Sequence, residues 1–499
     1  MNIFKRIFTR SKITPKQPFK SINPRSRAFD ASGTGRLLSS WTTQSTSYDY
    51  DILNSLDTLR ARSRQLHQNN DYARRYINLC VTNIIGPNGI KLQNKAITNA
   101  GKLNVDVNNL IEGFFDDWGK SCTIEGGVTL LDVERIIITS TAIDGEIFVR
   151  LYDDPNNKYY LSMQLLESDY LDVNFNNENA RIRMGIEYDE LGRRVAYWFY
   201  KNHPGDNKRY TRSIGERVRV PAADVIHVFY QERPSQTRGV PWMHSAMTRL
   251  NHLGAYEEAE LVASRVASAK MGFIVNPGGD DYKGPNDTDG NIQIEAEPGT
   301  WEQLPTGYDI RQWDPQHPGG NFEQFMKVSL RGIAAGLNVS YAALTSDLRD
   351  VNYSSSRFGS LDERDHWRVK QRWIASGFFK KLYERILTNV LTLGLSSRLF
   401  PSKYEQYNKP EWYARSWDWV DPRVDAAAAI LEIDNGLNTK SDILAAQGKD
   451  FYDLLETMKQ ENAAMKESGI ELKPKEKPET KPEQKPDNNE VQDGAGNTV

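Results

Sequence analysis

Hydrophobic positions along the chain recur first at helical and then at strand spacing, and the switch divides it into blocks. Over residues 60–85, Leu66, Ala73, Tyr76, Ile77, Cys80, Val81 and Ile84 fall three or four apart, which predicts one amphipathic helix. Gly86-Pro87-Asn88-Gly89 stops it with strong turn chemistry. Two further helices are predicted over 106–118 and 129–141. From Glu146 the period falls to two, and 147–151, 159–165, 181–188, 195–201 and 225–230 read as strands. Turn-rich links such as Asp153-Asp154-Pro155-Asn156-Asn157 and Asp189-Glu190-Leu191-Gly192 favour antiparallel hairpins. This block is expected to be a mixed α+β domain with a meander-like sheet.

The second half returns to helical spacing. Residues 241–269 predict a helix about 43 Å long at roughly 1.5 Å per residue, with Pro241 in its first turn. Ala246, Ala255, Ala259, Ala263, Ala267 and Ala269 line it. These small residues admit a closely packed neighbour, or simply reflect good helix propensity. The insert 274–320 is rich in Gly, Pro, Asn and Asp, with strand-like pieces at 292–294 and 308–313. It is too long for an inert loop and is expected to be a small folded or docking module. Helical spacing resumes over 321–337, a polar interval occupies 338–356, and a long helix starts at Ser354. Its stripe is Phe358, Leu361, Trp367, Ile374, Phe378, Leu382, Ile386 and Val390. Helices are predicted over 423–434, 441–447 and 451–465, with Gly436 ending the first. Residues 466–499 carry too little apolar surface to order themselves and are expected to be a disordered tail.

Composition changes this picture in three places. At 38 % hydrophobic residues the chain can bury a sizeable core, yet no run of about 18 apolar residues exists, so no membrane span is expected. Cys80 and Cys122 are read as reduced, buried thiols of an intracellular product. The net charge of -3 hides an uneven start: residues 1–40 hold nine Lys or Arg and only Asp30 as an acid. A flexible basic arm, assigned to 1–59, is preferred over a mitochondrial presequence. Lys5, Arg6 and Arg10 interrupt the apolar run that a secretory signal needs.

Catalytic chemistry is hard to place. The chain lacks G-x-S-x-G and G-x-x-x-x-G-K-[ST], which argues against common hydrolases and against ATP hydrolysis. His244 and His252 are eight apart rather than four, so they do not form a helical ligand pair. Neither metal nor cofactor is expected. Asp144 and Glu146, flanking Gly145, read as solvated carboxylates at a turn rather than as metal ligands. Arg364, Arg368, Lys370 and Arg372 near Trp367 and Trp373 form either a basic and aromatic strip for DNA or the solvated face of an amphipathic helix.

Several motifs in collinear order carry a family resemblance. They begin with Asn69-Asn70-Asp71-Tyr72-Ala73-Arg74-Arg75 and Ile85-Gly86-Pro87-Asn88-Gly89-Ile90. Gly145-Glu146, Glu187-Tyr188-Asp189, Arg194-Val195-Ala196-Tyr197-Trp198, Val220-Pro221-Ala222 and Val225-Ile226-His227-Val228 come next. Then come Arg233-Pro234, Gln236-Thr237-Arg238-Gly239-Val240-Pro241, Pro298-Gly299, Leu304-Pro305, Gly307, Asn352-Tyr353-Ser354-Ser355 and Trp419-Val420-Asp421-Pro422. In these the chain resembles the lambda family of bacteriophage portal proteins over about 69–465; both termini fall outside.

The resemblance implies a portal fold with wing, stem, clip and crown regions assembled into a ring, a dodecamer, at one capsid vertex. It implies a wing over 60–240, stem helices over 241–269 and 321–337, and a clip over 270–320. The tunnel loop would be 338–356, the helix returning to the wing 357–394, and the crown 395–465. Double-stranded DNA would pass through the channel without sequence specificity during packaging and ejection. Terminase, major capsid or scaffolding protein, and head-completion or tail adaptor proteins are the implied partners. The virion is the implied location, after assembly in the host cytoplasm. Arg265, Lys270, Lys327 and Arg331 on the stem, and Asp347, Arg349, Asp350, Asn352 and Tyr353 in the loop, are the channel candidates. Ala255, Ala259, Ala263 and Ala267 are the subunit-contact candidates. A non-enzymatic conduit is the leading expectation; a metal-dependent nucleic-acid enzyme and a soluble adaptor are the alternatives.

Overall fold

The computed structural model describes residues 36, 39–98, 100–206, 215–268, 272–275, 309–312, 322–349, 353–417, 422–447 and 451–468. Helix α1 (Tyr48–Asn69) starts well inside the stretch assigned to the basic arm. Ser47 caps it by accepting from the Tyr50 N–H, and Asp49 and Asp51 sit in its first turn, where the helix dipole favours acids. The helix predicted over 60–85 is two helices. Asn70 is extended, donates its N–H to Leu66 O, and caps α2 (Asp71–Ile84) by accepting from the Ala73 N–H. One residue closes one helix and opens the next, a change of direction that hydrophobic spacing does not reveal.

A short strand β1 (Lys91–Asn94) precedes α3 (Val105–Gly119) and α4 (Leu130–Asp144). Thr129 and Asp132 make a reciprocal capping box for α4, and Gly145 ends it at φ 90. The strands form two sheets rather than one meander. The first is built from β2 (Glu146–Tyr152), β3 (Ser162–Leu166) and β8 (Val225–Phe229), all antiparallel in the order β3-β2-β8. The second is an antiparallel meander of β4 (Ile182–Arg183), β5 (Ile186–Tyr188), β6 (Arg194–Tyr200) and β7 (Arg217–Pro221). The strand expected over 181–188 is thus a hairpin turning at Met184 and Gly185, both at positive φ. Strand β7 was not expected, although Arg217-Val218-Arg219-Val220 alternates polar and apolar; only Val220 of it is buried. Phe148, Leu166, Ile186, Tyr197 and Phe199 fill the space between the sheets.

Helix α5 (Met247–Ser268) begins later than expected. Residues 242–246 form turns, with the Ala246 and Met247 N–H groups both donating to Met243 O; Pro241 therefore precedes the helix instead of opening it. The described part of the insert is a two-stranded antiparallel pair, β9 (Gly272–Val275) and β10 (Asp309–Gln312); the expected strand at 292–294 lies outside the described residues. Helix α6 (Phe322–Gly336) buries Met326, Leu330 and Ile333, while Phe325 remains exposed. The interval expected to be polar loop contains the short α7 (Tyr341–Thr345), capped by Ser340. The long helix is α8 (Tyr353–Ile374), a π turn at Ala375–Phe379, and α9 (Lys380–Thr392). The extra residue of the π turn lets both Phe378 and Phe379 enter the core.

The stretch 395–417, within the range expected for the crown, packs with the first half of the chain. After α10 (Tyr404–Tyr407), strand β11 (Pro410–Tyr413) pairs with β1 in antiparallel register, Leu92 opposite Trp412. The Trp412 ring lies 4.9 Å from that of Phe379 and 5.5 Å from that of Phe115. Leu399 and Tyr407 join the main core with residues of α2, α3, α4, α8 and α9. Helices α11 (Pro422–Asp434), α12 (Lys440–Ala446) and α13 (Phe451–Glu467) complete the described chain, and α11 buries no residue. Among the described residues, no helix is long and apolar enough to cross a membrane. Both cysteines are buried and unpaired.

Candidate nucleic-acid interface

Helices α5 and α6, expected to be the stem pair, pack antiparallel, and their register can be read from contacts. Ser245 Oγ donates to Gly336 O at 2.8 Å just before α5. Further along, the Arg249 guanidinium lies against Gly332. The Tyr256 ring then sits 5.8 Å from Phe322 and 4.8 Å from Phe325. Each step up α5 is a step down α6.

The channel candidates divide into three groups. Arg265 is exposed near the end of α5. Lys327, Arg331, Asp347 and Arg349 are gathered around Glu323 and Tyr341: Lys327 Nζ is 3.2 Å and Arg349 Nη1 3.6 Å from Glu323 Oε1. Arg331 lies over the Tyr341 ring at 5.6 Å, and Arg349 Nε donates to Asp347 Oδ1 at 2.9 Å. Hydrogen bonds from Arg349 hold the Asp347 carboxyl well below its usual range. Lys270, Asp350 and Asn352 lie outside the described residues, and Tyr353 and Ala267 are described by backbone alone. Of the contact candidates, Ala255 and Ala259 are exposed and Ala263 is half-buried.

The basic and aromatic strip on α8 is neither a DNA surface nor a solvated face at its centre. Trp367 is buried, and Trp373 donates from Nε1 to Phe229 O at 3.1 Å. Lys370 Nζ lies 3.3 Å from the Tyr230 ring centroid and 4.1 Å from that of Trp242. Burial pushes its pKa down to about 8, while the two ring faces attract the charged form and work against that shift. Arg364 and Arg368 stand over Trp417 at 5.9 and 5.8 Å. Of the four cations only Lys370 is buried, while Arg368 and Arg372 remain exposed.

The feature that sequence reasoning misread is Gly145-Glu146. Both flanking carboxylates are buried, and Glu146 is wholly inaccessible. Glu146 accepts from Arg60 Nη2 at 2.6 Å, Arg238 Nε at 2.6 Å, the Gly239 N–H at 2.8 Å and His227 Nε2 at 2.9 Å. Burial by itself would raise its pKa; Arg238 and Arg60 reverse this and hold it well below the usual carboxylate range. Burial pushes His227 down to about 3 despite Glu146, so its ring is neutral. Its Nδ1 faces Arg194 Nη1 at 3.3 Å, a donor, which assigns the remaining proton to Nε2 and makes that nitrogen the donor to Glu146. Arg238 completes the knot by donating to Leu171 O, Met184 O and Ser168 O, each at 3.1 Å. Asp144 accepts from Arg64 Nε at 2.7 Å.

Backbone geometry explains both glycines beside the knot. A Cβ on Gly239 would lie 2.1 Å from Gly145 O, and one on Gly145 would lie 2.4 Å from the Val240 backbone. The two strands of chain touch main chain to main chain, and only glycine permits it. Arg60 comes from α1, Glu146 from β2 and His227 from β8; Arg238 lies on the segment that leads into α5. The knot therefore ties α1, β2 and β8 to the segment that leads into α5.

Residues 34–371 match the family described as phage portal protein, lambda family. A probable portal protein of Halomonas phage phiHAP-1 is 33 % identical over 91 % of this chain and 90 % of its own. The chain belongs to the lambda family of phage portal proteins. Portal protein B of Escherichia phage lambda is 23 % identical, covering 87 % of this chain and 90 % of its own. Among solved structures, a chain from the neck of an empty GTA particle is 14 % identical with a TM-score of 0.44, covering 83 % of this chain and 99 % of that one; so distant a likeness carries no argument.

Within this portal-family chain, one group of side chains among the described residues has metal-ligand spacing: Glu167, Asp169 and His203. His203 Nε2 lies 3.4 Å from Glu167 and 3.7 Å from Asp169. Its Nδ1 accepts the Gly205 N–H at 3.1 Å, which assigns the neutral ring's proton to Nε2 and leaves no lone pair facing the carboxylates. Metal-binding histidines show the reverse arrangement, so these residues do not fit a resident ion.

Proposed function

We propose that copies of this chain close into a ring, a dodecamer, at one vertex of a phage capsid, and that double-stranded DNA crosses its axial channel during packaging and ejection. The observation that carries the reading is the antiparallel α5–α6 pair of a portal-family chain, held to the wing by a buried charge knot and bearing exposed Leu261, Val262, Phe325 and Val328. Apolar side chains on a projecting pair are expected to be covered by further protein. Arg265, Lys270, Lys327 and Arg331 supply positive charge near the DNA, and Asp347, Arg349, Asp350, Asn352 and Tyr353 are the tunnel-loop residues that meet it. Lys327 and Arg349 are already matched by Glu323 and Asp347, so few phosphates are neutralised strongly and the duplex can slide. The protein performs no catalysis in this reading; terminase hydrolyses ATP and docks at the clip, capsid or scaffolding protein meets the wing, and head-completion or tail adaptor proteins join later.

Native mass measurement and electron-microscopy class averages of the purified full chain test this. A perforated multimer is expected; a chain that stays monomeric at every concentration, and in lysates with capsid protein, overturns it.

A further inference from the structure

Two Asn-Gly pairs occur in the chain, Asn88-Gly89 and Asn435-Gly436. Asparagine is among the chemically labile residues, most of all before glycine, which has no side chain to shield its nitrogen. That nitrogen can attack the carbonyl of the asparagine side chain and expel the amide. By sequence the two pairs are equals, and both asparagines are exposed.

Hydrogen bonding separates them. Asn435 stands just beyond α11, where the chain closes the helix with Gly436 at φ 68. The Gly436 N–H donates to Ile433 O at 3.0 Å and the Leu437 N–H to Glu432 O at 2.9 Å. The Asn435 side-chain amide donates to Leu431 O at 2.7 Å. Here the attacking nitrogen is engaged, and the amide is held one turn back along the helix. Asn88 lies in the turn 86–89 between α2 and β1. Among the described residues neither its side chain nor the Gly89 N–H has a hydrogen-bond partner.

We propose that Asn88 is a site of spontaneous deamidation in the folded chain, and that Asn435 is protected. The Gly89 nitrogen gives up its proton and bonds to Asn88 Cγ, and the side-chain amide leaves with a proton as ammonia. The resulting succinimide takes up water at either carbonyl, giving aspartate or isoaspartate. Isoaspartate routes the main chain through the side chain and lengthens it by one methylene. The turn has no slack for that: a Cβ on Gly86 would lie 2.8 Å from Arg415 Cβ, and one on Gly89 2.9 Å from Glu134 Oε2. Glu134 also accepts the Ile90 N–H at 3.1 Å. The longer link therefore strains the contacts that hold the turn to α4 and to the segment before α11.

Ageing the purified full-length chain in mildly alkaline buffer, followed by peptide mapping with mass spectrometry, tests this. Expected is amide-to-acid conversion at Asn88, with both aspartate and isoaspartate formed, while Asn435 stays intact. In urea, which removes the hydrogen bonds around Gly436, both asparagines should convert. Asn88→Gln changes an exposed side chain without a hydrogen bond. It should fold like wild type and resist conversion, because its longer side chain closes a larger ring more slowly. Aged wild type should unfold at a lower temperature than fresh chain, and aged Asn88→Gln should not. An intact Asn88 in the folded chain overturns the inference, whatever the unfolded chain shows. So does conversion of Asn435 at the same rate in the folded chain, since hydrogen bonding would then not separate the two pairs.

Discussion

The wing and the stem treat their difficult side chains in opposite ways. Around Glu146, two buried arginines, a neutral histidine and a main-chain N–H converge on one carboxylate inside one copy, with Arg60 Nη1 alone of the buried donors there left without a partner among the described residues. On α5 and α6, apolar residues remain in water and charges pair loosely at the surface. A region that completes its own bonding is rigid by itself; a region that leaves apolar surface open is finished only by association. The contrast fits the proposed roles, positioning for the wing and assembly for the stem.

The largest expected effect comes from breaking the knot. Glu146→Ala leaves Arg60 and Arg238 buried without their anion, and such losses cost about 3–5 kcal/mol; chemical denaturation of the variant should show a drop of that size. Gly239→Ala should destabilise by a comparable amount, since its Cβ would overlap Gly145 O at 2.1 Å; an unchanged thermal midpoint would contradict the close approach of the two chains.

A second test sharpens the wing side through pH. Glu134 accepts the Ile90 N–H at 3.1 Å in the core, and burial pushes its pKa up to about 8 from 4.5. Between those values the folded state holds a proton that the unfolded chain has released. Stability should therefore fall as pH rises across that window, by up to about 1.4 kcal/mol per pH unit. Glu134→Gln keeps the acceptor for Ile90 and should remove this slope; a slope that persists in the variant would assign it to another group.

The smallest effects are expected on the stem. Arg349→Ala loses an exposed contact with Asp347 and should change the stability of a single copy by no more than about 1 kcal/mol. Val328→Asp, at a well-solvated position, should leave unfolding of the unassembled chain within about 0.5 kcal/mol of wild type. A large loss at either position would mean that the stem is already a completed core and that the contrast with the wing is false.

Much of the architecture was legible because local chemistry and burial agree. The helix over 129–141, the turn at 86–89, the period-two run of β2 and the buried stripe from Trp367 to Val390 all speak within a few residues, although Leu361 of the expected stripe is exposed. Three things were not. Strand β1 finds its partner β11 at the far end of the chain, and neither Lys91–Asn94 nor Pro410–Tyr413 names the other locally. A proline opens a helix only where the next residues stay helical, and the turns at 242–246 moved the start of α5 away from Pro241. Lys370 looked solvated because a lysine on a charged helix usually is; two aromatic rings from distant segments enclose it instead.

The candidate site shows the same division at finer scale. Gly145-Glu146 and Arg238-Gly239 were visible as motifs, yet their meeting was not, and a carboxylate beside a turn is read as solvated unless its cations are known. The sequence by itself determined most of the longer helices, most strands and the family, because periodicity, caps and turn residues act over a few positions. The tertiary structure alone decided which charges are buried, which helix faces stay open, and where the stem points. Those outcomes depend on desolvation and on contacts between segments far apart in the chain, and no local pattern encodes either.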